Sequence, residues 1–146
     1  MRGSKVLIVL LVMAPAFFIS CGTGKESQGT ARVEQEYPDG IYRGSFIDSG
    51  EVQVSLQFKL QNNVVTEIKY SHLAYKGNNC LEAPWGRQYQ QAIQYLVGKD
   101  IRVHLNDLYK PGDFVDNVDT YSGATIRAVK VRSAIKDALN REAYSK

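Results

Sequence analysis

Residues 52–60, VQVSLQFKL, alternate in character: Val52, Val54, Leu56, Phe58 and Leu60 fall on one face, and Gln53, Ser55, Gln57 and Lys59 on the other. A period of two with one wet face predicts a half-buried antiparallel strand. The preceding DGIYRGSFIDSG predicts a strand over Ile41 to Ile47, closed by the turn residues Asp48, Ser49 and Gly50. Asn62-Asn63 tolerates the left-handed conformations of a tight hairpin, and VVTEIKYSHL returns as a third strand. AYKGNNCLEAPWG, with its Gly, Asn-Asn and Pro, reads as a loop. From Arg87 the period changes: Tyr89, Ala92, Ile93, Leu96 and Val97 share a helical face, and Gly98 suits the stop. IRVHL at 101–105 predicts a short strand, and NDLYKPGDFVDNVD a second loop. The final segment spaces Ala128, Val131, Ile135, Ala138 and Leu139 for an amphipathic helix. Its predicted outer face carries Lys130, Arg132, Lys136, Asp137 and Arg141. Strands followed by helices predict an α+β domain, an antiparallel β-meander with helices packed on one face.

The front end does not belong to that domain. Arg2 and Lys5 precede an uncharged apolar run from Val6 to Phe18, the h-region of a secretory signal and short for a bilayer span. It ends in Phe18-Ile19-Ser20-Cys21-Gly22, which resembles a bacterial lipobox with Phe18 where Leu is usual. Residues 1–20 are therefore expected to be a lipoprotein signal peptide and Cys21 the lipidated residue, with an uncleaved anchor as the other reading. Several acyl chains would hold the chain firmly, since one chain binds only marginally. Residues 21–38 read as lipid anchor and flexible tether, and 39–146 as one domain. With Cys21 acylated, Cys80 has no intramolecular partner and reads as a half-buried structural residue. Loss of residues 1–20 removes two bases and no acid, so the formal charge falls from +3 to +1. A nearly neutral chain without a basic run gives no electrostatic case for nucleic acid.

Ser122-Gly123-Ala124-Thr125 stands where the last helix should begin. With Ser122 as N-cap, the next three residues carry backbone N–H groups without intrahelical partners. Such a terminus attracts an anion, and the helix dipole adds to the attraction. Glycine lets another molecule approach the backbone, and the threonine hydroxyl offers a point for a phosphate. The plainer reading is that Ser122 caps and Thr125 has no chemistry.

The stretch Asp119-x-x-Ser122-Gly123-Ala124-Thr125, in a domain opening with DGIYRG and the VQVSLQFKLQNNVVTEIKY hairpin, resembles the FMN-binding domain family. That family is related to the C subunit of the sodium-translocating NADH:quinone reductase and the G subunit of the Rnf electron-transport complex. The resemblance covers about Asp39 to Arg141 and matches the flavinylation motif without a gap. It implies FMN joined by a phosphoester to Thr125, attached outside the cytoplasm by a flavin:protein FMN transferase that uses FAD and a divalent metal. Asp119, Ser122, Gly123 and Ala124 would be recognition and phosphate-cradling residues.

The isoalloxazine ring needs a flat surface, for which Tyr75, Trp85, Tyr109 and Tyr121 are candidates. Packing alone would also account for each of these aromatics. LEAPWG, at 81–86, resembles a shortened acidic-Pro-Gly loop of the respiratory relatives, which adds Glu82 to the ring-contact candidates. His72 and His104 have no partner at metal-ligand spacing.

Together these features predict a membrane-anchored extracytoplasmic electron carrier, working with a membrane or extracytoplasmic redox protein. There is no nucleophile–base set and no dinucleotide fingerprint, so it reads as a carrier and not an enzyme. The alternative is a ligand-binding or interaction lipoprotein of the same fold without flavin. Direct reduction of a small oxidant at the ring is a third reading.

Overall fold

The structure is a computed structural model, and it describes residues 36–115 and 121–144, with Tyr121 and Ser122 in backbone only. The expected signal peptide, Cys21, the tether up to residue 35 and Asp119 lie outside the described residues.

The architecture is α+β. Strands β1 (Gly40–Asp48), β2 (Glu51–Gln61), β3 (Val64–Tyr75) and β4 (Asn78–Asn79) form one antiparallel meander in the order β1-β2-β3-β4. β4 is a two-residue strand inside a segment expected to be all loop. Helices α1 (Gly86–Leu96) and α2 (Ile101–His104) follow, then 3₁₀ turns Leu105–Tyr109 and Pro111–Asp113, and the long α3 (Tyr121–Leu139).

Both hairpins use the expected turn chemistry: Ser49 and Gly50 have φ of 52° and 81°, and Asn62 and Asn63 of 51° and 64°. Val54, Leu56, Phe58 and Leu60 are buried as the alternation requires. Val52 is the exception, because a bulge shifts the β1–β2 register between Phe46 and Ile47. The bulge turns Val52 outward, 38 % exposed, and buries Gln53. Gln53 is satisfied there: its Oε1 accepts from the Lys130 ammonium, and its Nε2 donates to Asp48 at 3.2 Å. Lys130 is therefore not on an outer face; it reaches back over the end of the sheet, near the rings of Phe46 and Tyr75.

The core lies between the sheet and α3, whose Ala124, Ala128, Val131, Ala134, Ile135 and Ala138 are buried. Small residues on this stripe allow close approach, and Gly44 of β1 completes it. A Cβ on Gly44 would meet the Ala134 carbonyl oxygen, the Ala138 nitrogen at 2.5 Å and the Ala138 Cβ at 2.7 Å. Tyr42 stacks on its cross-strand partner Phe58 at 5.3 Å. The free edge of β1 is covered from the end of the chain. The Ser45 N–H donates to the Asp137 carboxylate at 2.9 Å, and the Tyr144 N–H to the Ile41 carbonyl at 2.8 Å. Asp137, predicted to face solvent, thus fastens α3 to the sheet edge. Tyr37, at the end of the expected tether, donates its N–H to Asn63 Oδ1 at 2.8 Å.

α1 packs Tyr89, Ala92, Ile93 and Leu96 inward. Val97, expected on that face, is 47 % exposed, because the helix has ended and the chain turns through Gly98 at φ 79°. Residues 101–105 do not form a strand. The Ile101 N–H is taken by the Asn63 carbonyl at 2.9 Å, and the Asp100 side chain then caps the Arg102 N–H at 2.9 Å, starting α2. Val103 is consequently 51 % exposed, while Ile101 and Leu105 are buried four residues apart. Among the described residues no helix is long and apolar enough to cross a membrane.

Candidate functional site

The Ser-Gly-Ala-Thr stretch occupies the first turns of α3, as expected, but the helix begins at Tyr121. Ser122 is therefore inside the first turn instead of capping it, and Thr125 sits in the second. The first turn carries no acidic residue to oppose a negative group.

Gly123, Ala124 and Thr125 point in different directions, since successive helical residues turn by about 100°. Ala124 is fully buried at the head of the apolar stripe, so any contribution it makes to a ligand is through its backbone. Gly123 lies against α1: its missing Cβ would be 2.5 Å from Arg127 Nη1 and 3.5 Å from Gln88 Oε1. Arg127 donates to Gln88 Oε1 at 2.7 Å, and its guanidinium lies 4.8 Å from the centre of the Trp85 ring. Gly123 thus serves, in the chain itself, to admit a guanidinium beside the helix start. Thr125 is two residues further on, about 160° around the axis from Gly123 by helix geometry. It is half-buried, next to Ile126, which is 60 % exposed.

Of the predicted ring contacts, Trp85, Tyr75 and Tyr109 lie beside three different cations of α3. Trp85 is half-buried on the Gly123 flank, packed on Tyr89 at 6.3 Å. Glu82 is exposed in the same loop and accepts from Asn79 Nδ2 at 3.1 Å. The loop is folded tightly, since a Cβ on Gly86 would meet the carbonyl oxygens of Cys80 and Leu81. Tyr75, 42 % exposed, stands at the β3–β4 turn beside Lys130. Tyr109, 49 % exposed, lies beneath the Arg132 guanidinium, 4.5 Å from the ring centre. Asn106 Oδ1 accepts from Arg132 at 3.1 and 2.7 Å. Arg127, Lys130 and Arg132 were not singled out as site residues by sequence reasoning. Their one signal is repetition: three cations on α3, each held by a neutral amide and laid near an aromatic ring, none in an ion pair among the described residues.

Cys80 is buried, its thiol pushed up by that burial. His72 is on β3, as expected; His104 ends α2, with Nδ1 2.8 Å from Asp107 Oδ2. The Tyr95 hydroxyl donates to the same oxygen at 2.9 Å, and burial with this bond pushes the phenol up to about 12. Burial would push the Asp107 carboxyl up, but the bonds from His104 and Tyr95 outweigh it and hold it below its usual value. A carboxyl that is the stronger acid when folded adds stability above its unfolded value of about 4, and loses it as pH falls through the lower folded value. Asp107→Asn is therefore expected to flatten the decline of Tm below about pH 4. Thermal unfolding followed by circular dichroism reads this, and an unchanged acid limb would contradict it.

Comparison with family models, with curated proteins and with solved structures finds no match to the chain.

Proposed function

We propose that the chain is a membrane-anchored extracytoplasmic electron carrier. FMN is held covalently by a phosphoester to Thr125, and the chain is the acceptor substrate of a flavin:protein FMN transferase. The observation that carries this reading is the ungapped Asp119-x-x-Ser122-Gly123-Ala124-Thr125 sequence, whose last four residues lie on the opening turns of α3.

The residues present suit a phosphate-bearing group. The helix start offers partial positive charge, no acid opposes it in the first turn, and Arg132 follows on the same stripe two turns later. Its amide partner, Asn106, fixes the guanidinium without neutralising it. Thr125 would hold the phosphate, and the backbone of Ser122, Gly123 and Ala124 would lie nearest to it. When bound, FMN would supply reversible electron transfer. The protein's part is to keep the cofactor from diffusing away and to set its surroundings.

The test is whether colour survives unfolding. The full-length chain, produced together with an active FMN transferase, should give a yellow pellet after acid precipitation and washing. Flavin released wholly to the supernatant would contradict the phosphoester. A colourless protein would favour the ligand-binding reading without flavin.

A further inference from the structure

Resting on the flavin reading, we infer that the ring attached at Thr125 lies against Tyr109 and Arg132, not against the Trp85 loop. The argument is one of direction. Seven residues separate Thr125 from Arg132, which returns the helix to within about 20° of the same heading and advances it about 10.5 Å. Thr125 and Arg132 therefore share one stripe of α3, with the half-buried Val129 between them. That advance is comparable to an extended sugar-phosphate chain, so a phosphate on Thr125 delivers its ring to the level of Arg132. Arg127, by contrast, heads about 160° away from Thr125, and Lys130 about 140° away. A group on Thr125 reaches Trp85 only across the end of the helix.

The far end of the stripe has what a flat, electron-accepting ring requires. Tyr109 is 49 % exposed, so it has surface left for a second planar group. Its other support is the Arg132 guanidinium, 4.5 Å from the ring centre. Two hydrogen bonds to Asn106 Oδ1, at 3.1 and 2.7 Å, hold that guanidinium in place. Arg132 has no ion pair among the described residues, so no described carboxylate cancels its charge. A ring that gains negative charge on reduction is favoured in its reduced form by a fixed cation alongside. Tyr109 is then the stacking surface, and Arg132 a positioning residue that also raises the midpoint potential.

The experiment uses the full-length chain loaded by the transferase, with Tyr109→Leu, Trp85→Leu and Arg132→Gln variants. Attachment is measured first by mass, folding by circular dichroism, and then flavin fluorescence and midpoint potential. A stacked phenol quenches flavin fluorescence, so Tyr109→Leu should brighten it several-fold while Trp85→Leu leaves it unchanged. Arg132→Gln can still donate to Asn106 but lacks the charge, so the potential should shift to lower values. Brightening by Trp85→Leu alone, or by neither variant, overturns the inference while the flavin reading stands. So does an unshifted potential in Arg132→Gln. A chain that gains no FMN from an active transferase overturns the flavin reading and the inference together.

Discussion

Gly44→Ala is expected to be the most damaging single methyl in the described domain. The added Cβ would point at the backbone of α3: the Ala134 carbonyl, the Ala138 nitrogen at 2.5 Å, and the Ala138 Cβ at 2.7 Å. None of these is the end of a side chain that can swing aside, so β1 and α3 must separate. Separation would loosen Val131 and Ile135 from the sheet and strain the bond from Ser45 N–H to Asp137. Overpacking of this kind costs about 3 kcal/mol, at the high end of measured cases. For a domain of this size that corresponds to a fall in Tm of roughly 10–20 °C. Ala138→Gly in the same chain should recover part of the loss and no more, because the Ala134 carbonyl stays. Thermal unfolding of both variants measures this, and a fall of less than about 3 °C for Gly44→Ala would refute the close approach. Gly123→Ala is a contrasting case, since its nearest obstacle is the end of the Arg127 side chain.

The second large effect is chemical. Thr125→Ala should abolish covalent flavin altogether, because it removes the hydroxyl that would become the ester oxygen, and the methyl lost with it takes no part in that bond. The fold should survive. Thr125 is half-buried in a helix, and alanine is the better helix former by several tenths of a kcal/mol. Thr125→Ser keeps a hydroxyl at the same position and should retain flavin. In-gel flavin fluorescence of denatured protein separates the alanine variant from the other two chains. Fluorescence in the alanine variant equal to that of the parent would move the attachment elsewhere.

The meander could be read from the chain because each of its signals is local. Alternation over Val54 to Leu60 sets the buried face, and Ser49-Gly50 and Asn62-Asn63 supply the left-handed turns. The exchange of Val52 for Gln53 could not be read, since it depends on a bulge against β1 and on an ammonium arriving from α3. Residues 101–105 misled for a different reason. Ile101, Val103 and Leu105 alternate like a strand, yet Ile101 and Leu105 also satisfy helical spacing, and the Asp100 cap decides between them. At the candidate site, the motif was plain in sequence but its directions were not. Gly123 and Thr125 are two residues apart in the chain and face nearly opposite sides of α3, which splits Trp85 and Tyr109 between two flanks. The cations over those rings depend on pairings across 26 to 39 residues and left no local trace.

The central claim is the bond at Thr125, and intact mass spectrometry of the full-length chain tests it most directly. The chain is produced with and without an active flavin:protein FMN transferase. Transfer of the FMN group from FAD to the Thr125 hydroxyl, with AMP leaving, predicts a gain of one FMN less one water, present only with the transferase and mapped to the peptide holding Thr125. No gain in the presence of the active enzyme, or a gain on a peptide lacking Thr125, would contradict it.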